Sequence, residues 1–109
     1  MTFSKDILNA ALELSMEFGP DFLKPIHTRL LKKYPSLTDV ELDAYNRKAY
    51  QTKEYGHEIV YKLWPGITDE EAHDQSKIKF KKQMKSSYDW INDENISRLF
   101  SQSCYFASK

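Results

Sequence analysis

Only one of the 109 residues is a cysteine, Cys104, so no disulfide can form within the chain and the free thiol fits a reducing compartment. There are three glycines, scattered at Gly19, Gly56 and Gly66, so no glycine-rich phosphate loop can be built. A Gly-x-Ser-x-Gly nucleophile turn and an HExxH metal helix are likewise missing. Neither sign of charge dominates: 16 lysines and arginines balance 16 aspartates and glutamates, leaving a net charge of zero. That argues against a dedicated nucleic-acid binder, whose affinity comes largely from neutralising phosphates. No apolar run reaches membrane-spanning length, and Lys5, Asp6 and Glu13 break up what would have to be the core of a secretion signal. Cys104 stands sixth from the end, where a prenylation box needs it fourth. A soluble cytoplasmic protein is the expectation.

What the chain does have is helical periodicity. Leu42, Tyr45, Ala49, Thr52, Gly56, Ile59 and Leu63 recur at alternating steps of three and four, one continuous stripe on one long helix from Thr38 to Trp64. At 1.5 Å per residue such a helix is about 40 Å long, enough to be the spine of a small domain. Asp43, Arg47, Gln51, Glu54, Glu58 and Lys62 fall on its opposite, solvated face. Gly56 lies on the core face, which predicts close approach of another helix.

Shorter helices flank the spine. Ser4 caps a first one with Ile7, Leu8, Ala11, Leu14, Ser15 and Phe18 inward, stopped by Gly19-Pro20. Pro25 biases Lys24 away from helical dihedrals, so the second helix is set at about Pro25–Lys33, burying Ile26, Leu30 and Leu31 above Phe22 and Leu23. A start at Pro20 is the competing assignment. The fourth, about Asp69 to Trp90, buries Ala72, Ser76, Phe80, Met84, Ser87 and Ile91; the fifth, about Asp93 to Ala107, presents Ile96, Leu99, Phe100, Cys104 and Phe106. No segment alternates at period two between turns, so no strand is expected. The expected fold is all-α: one domain over residues 1–109, about five helices bundled around the helix at residues 38–64.

Corner chemistry repeats. Thr38 and Glu41 form a capping box, with Leu37 placed to staple onto Leu42. Thirty residues later Thr68 and Glu71 repeat the pattern with Ile67 over Ala72, and Asn92 opens the last helix with Ile91 over Ile96. The helix bodies between these corners do not match one another, so the echo is one of caps and not of a solenoid.

Four constellations could carry function. Glu54 with His57 and Glu70 with His73 have the Glu-x-x-His spacing that holds metal in di-iron bundles. Glu54, however, points about 175° from the core stripe, and Glu70 lies in a first turn where acids serve the helix dipole. No metal and no cofactor is therefore expected, and a metal- or small-ligand-binding protein is the alternative reading. The second is a helix-turn-helix over Pro25–Lys33 and the following helix, with Lys24, Arg29, Lys32 and Lys33 as basic groups. Its recognition helix would begin with Asp39, Glu41 and Asp43, which repel a duplex. Third is the lysine cluster around Lys77, Lys79, Lys81, Lys82 and Lys85, a solvated face in which the aliphatic Ile78 is out of place. The fourth is an aromatic stripe on the spine, Tyr50, His57, Tyr61 and Trp64, residue types that anchor protein interfaces unless another helix covers them.

His27 and His73 fit structural roles better than catalytic ones, a boundary position for the first and a buried, hydrogen-bonded one for the second. Cys104 has no partner base in the pattern. The leading expectation is a non-enzymatic domain that acts by contact with a protein partner or with itself as a homodimer. Tyr50, His57, Tyr61, Trp64, Ile78, Lys81, Lys82 and Lys85 are the candidate contact residues.

Overall fold

The computed structural model describes residues 2–17 and 25–108, and no strand occurs among them. The fold is all-α, with five α-helices in the described residues: α1 Lys5–Ser15, α2 His27–Lys33, α3 Asp39–Leu63, α4 Glu70–Ser87 and α5 Asp93–Ala107. A single 3-10 turn, Trp64–Gly66, ends α3 where Pro65 forbids further α-helix. The chain divides into two compact units, Met1–Lys53 and Glu54–Lys109, with the long α3 contributing its first part to one and its last part to the other.

The stripe predicted for α3 is its buried edge. Leu42, Tyr45, Ala49, Thr52, Gly56 and Ile59 are all buried and Leu63 is half-buried, while the six residues assigned to the solvated face are all exposed. Thr52 fits an apolar edge because its hydroxyl donates to the Lys48 carbonyl at 2.7 Å, one turn back.

In the first unit α1 and α2 are tied to α3 by polar contacts that end in the core. The Ser4 amide donates to the Tyr45 hydroxyl at 2.9 Å, Phe3 packs edge-on against the Tyr45 ring, and the Ile26 amide donates to Asn46 Oδ1 at 3.2 Å. The last turn of α1 has no basic residue of its own. Its carbonyls are met from elsewhere: Arg29 donates to Leu14 O and Lys53 Nζ to Ser15 O, each at 3.0 Å. Two cations thus meet the negative end of the α1 dipole. Lys53 is 4 % exposed, with its ammonium also 4.3 Å from the centroid of the Tyr50 ring.

The second unit is built on α4 and α5, which pack on each other. Phe80 and Phe100 meet at 5.3 Å between centroids, and Leu99 fills the space beside Gly56. A Cβ at residue 56 would sit 2.6 Å from Leu99 Cδ2 and 2.9 Å from its Cγ, so the helices meet where a side chain is missing.

Two of the three corners follow the sequence. Thr38 and Glu41 make both bonds of the capping box, at 2.9 and 3.2 Å, and Asn92 accepts from the Asn95 amide at 2.8 Å. The third slips by one residue. Asp69, not Thr68, caps α4 and accepts from the Ala72 amide at 2.8 Å. A carboxylate is the stronger acceptor for an amide at a helix N-terminus, and its charge suits the dipole.

Other boundaries move too. Helix α2 starts at His27, two residues after Pro25, and on so short a helix Leu31 turns outward, 39 % exposed. Helix α4 ends at Ser87, where Tyr88 leaves helical dihedrals at φ −136° and ψ 79°. Ile91 is fully buried as expected, but from the connection and not from the helix, and Ser87 is exposed. Helix α1 ends at Ser15, with Met16 as its cap. The expectations for Phe18, the Gly19-Pro20 stop, a helix start at Pro20, and the packing of Phe22 and Leu23 lie outside the described residues. Cys104 and Phe106 on α5 are half-buried where a core position was expected.

Candidate functional site

Helix α4 has a sharply divided circumference. Ser76, Phe80 and Met84 are buried on one side. At 100° per residue Ile78 falls opposite them, at the centre of the outward face, and it is 62 % exposed. Asp74 and Glu71 stand one and two turns before it on that face, and both are exposed; Lys82 and Lys85 stand one and two turns after it. An aliphatic side chain in water is thus bordered by Lys77 and Lys79, with acids further toward the helix start and lysines further toward its end. That order follows the α4 dipole, which accounts for the charges but not for Ile78.

The lysines differ in how they are held. Asp93, the first residue of α5, receives Lys81 at 3.4 Å and Lys85 at 3.3 Å. Lys85 Nζ also donates to the Ile91 carbonyl at 2.7 Å, tying the end of α4 to the corner that follows. The hydrogen bond from Lys85 and the charge of Lys81 hold the Asp93 carboxyl below its usual range. Lys82 is exposed on the open face beside Ile78.

The expected aromatic stripe on α3 does not stay together as one surface. Tyr50 is half-buried under the Lys53 ammonium, and His57 packs on the Phe106 ring at 5.3 Å. Trp64 is half-buried in the 3-10 turn. Tyr61 alone stands out, 69 % exposed.

Glu54 and Glu70 are exposed, and the His73 side chain is 45 % exposed, where a buried position was expected, with its ring in a T-shaped contact with Phe100 and Nδ1 3.8 Å from Asp74. His73 falls on the Ser76–Phe80 side of α4 but in its first turn, at the end of the helix, where its ring meets Phe100 at 5.1 Å between centroids and stays partly open to solvent. Among the described residues no group of three or more His, Cys, Asp or Glu side chains could hold a metal ion. In the helix-turn-helix region Arg29 is turned onto Leu14 O and Glu17, while Asp43 is paired with His27. Burial pushes the Cys104 thiol up, away from the reactive thiolate form.

One cluster has no counterpart in the sequence reading. Tyr55, on α3, shares a 3.0 Å hydrogen bond with Ser87 and accepts from Gln83 at 3.4 Å, and both bonds pull its phenol below the ordinary value. Its ring meets Tyr88 edge-on at 5.5 Å, and Tyr88 in turn meets Trp90 at 6.1 Å. Tyr88 titrates above its ordinary value because it is partly desolvated and faces Tyr55. Residues 32 apart with no shared motif give no sequence signal that they touch.

No protein-family model matches the chain, and neither a curated protein nor a solved structure matches it. Among the described residues no helix is long and apolar enough to cross a membrane.

Proposed function

We propose that this is a soluble, cytoplasmic, non-enzymatic protein that works by contact with another protein surface through the outward face of α4. The observation that carries this reading is Ile78, exposed at the centre of a helix face and flanked by charge of both signs. An apolar centre with a charged rim is the anatomy of a protein interface, in which the rim sets partner and orientation and the centre supplies the affinity. The exposed Tyr61 is a second anchor of the same type, and Lys81, Lys82 and Lys85 are the basic part of the rim. Tyr50, His57 and Trp64 contribute less, since each is half-buried within the chain.

Photo-crosslinking tests the proposal. A probe at Lys82 should give a discrete adduct with a protein in cell extract, and Ile78→Asp in the same chain should abolish it without lowering the melting temperature. Adducts that ignore Ile78→Asp, or none at all, would overturn the reading.

A further inference from the structure

Each of the five lysines between positions 77 and 85 has another three or four residues away, its neighbour on the surface of α4. Lys77, Lys81 and Lys85 form one row, and Lys79, Lys82 and Lys85 form a second. The rows converge on Lys85 and open toward the helix start, with Ile78 in the mouth between Lys77 and Lys79. Like charges at this spacing destabilise a helix unless a counter-charge meets them. The first row has one: from the start of α5, Asp93 reaches Lys81 at 3.4 Å and Lys85 at 3.3 Å. Lys77, Lys79 and Lys82 are exposed, and no acid among the described residues pairs with any of them. The α4 dipole explains why bases follow acids along the helix, but not why the bases stand in rows.

We propose that the partner of this face is a short acidic segment of another protein, laid along Lys79 and Lys82 with an apolar side chain on Ile78. This rests on the contact function proposed above and names the chemistry of its partner. Asp93 displays the same recognition within the chain, one carboxylate bridging two lysines on successive turns. Length and charge narrow the occupant further. Lys77 to Lys85 spans about 12 Å along the axis, room for about two turns of a partner helix. Toward the start of α4, Glu70, Glu71 and Asp74 are all exposed and repel any anion that continues that way. A lipid surface or a nucleic-acid backbone is negative over its whole extent and meets those acids as well as the lysines. One isoleucine is also too little apolar surface to enter a bilayer, and no arginine or exposed aromatic ring stands among the lysines to stack on a base.

Fluorescence anisotropy on the full chain is the test, with a labelled helical peptide carrying glutamates around a central leucine as the probe. The peptide should bind, and about tenfold or more weaker at about 0.5 M than at about 20 mM salt. Lys77→Gln/Lys79→Gln/Lys82→Gln should weaken binding about tenfold or more. The charge-matched variant Lys5→Gln/Lys32→Gln/Lys33→Gln, at exposed positions on other helices, should bind like the wild type. Ile78→Ser, or serine in place of the peptide's leucine, should each weaken binding about fivefold or more. All the substituted positions are exposed, and unchanged circular dichroism would exclude misfolding as the cause. No binding at millimolar peptide and low salt, equal losses in the two triple variants, or indifference to Ile78→Ser would overturn the acidic partner. So would tighter binding to phosphatidylserine vesicles or duplex DNA than to the peptide, or self-association through this face that shuts the peptide out. If the acidic partner falls while the Lys82 probe still gives an Ile78-dependent adduct, the contact function stands and only the partner's chemistry is wrong. Absence of that adduct would remove the contact function itself.

Discussion

At the scale of single residues, the most constrained position is Gly56, because Leu99 occupies the volume a side chain there would need and is itself fully buried. Gly56→Leu should lower stability by about 1–3 kcal/mol, the usual cost of overpacking, read from urea denaturation. The shifted corner makes a paired prediction. Asp69→Ala should cost about 1 kcal/mol, as a lost cap does, and Thr68→Ala no more than about 0.5 kcal/mol. Equal losses at the two positions would return the cap to Thr68. Cys104, whose thiol is raised by burial, should react with an alkylating reagent more slowly at pH 8 than an unhindered thiol peptide does. Here the sequence speaks unevenly. Gly56 could be read because glycine inside a helical pattern needs a reason, and the capping box because its spacing is specific. The buried Lys53 could not, since lysine is almost never fully buried and its partner carbonyl at Ser15 belongs to a distant part of the chain.

At the scale of elements, α3 was legible because 25 residues give the period of its stripe many chances to assert itself. Seven residues give α2 too few, and Leu31 went to the wrong side. The end of α4 was misplaced because the apolar spacing continues through Ile91, which is buried although the helix has stopped; tertiary packing selected the residue and not the helix. Asn95, Gln102 and Ser103 on α5 are buried polar residues, which an apolar pattern cannot reveal. Two predictions belong at this scale. Gln51 is exposed, so proline there would disturb little besides the backbone of α3, yet Gln51→Pro should cost about 3 kcal/mol or more, seen as lost helical signal and a lower melting temperature. The junction of α4 with α5 should respond to acid. The Asp93 carboxyl is held below its unfolded value, so its contribution is present above the ordinary carboxylate range and is lost as pH falls through the lower folded value. Asp93→Asn should therefore lower the melting temperature at pH 6, and the difference from the wild type should shrink as the pH falls below the ordinary carboxylate range.

On the scale of the whole molecule, all-α architecture followed from composition and period, but the division into Met1–Lys53 and Glu54–Lys109 did not. A stripe that runs unbroken along α3 carries no mark of where one set of neighbours gives way to the next. The face about Ile78 was half-legible: spacing set an aliphatic residue among lysines, but only its exposure in the folded chain establishes that no described residue covers it. The lysine that closes the end of α1 offers a practical handle on the first unit. With its ammonium seated on the Ser15 carbonyl, Lys53 should escape acylation by a water-soluble reagent while the exposed lysines of α4 are labelled at once. The slow appearance of that one acyl group, followed by mass spectrometry, would time how often the native N-terminal unit comes open.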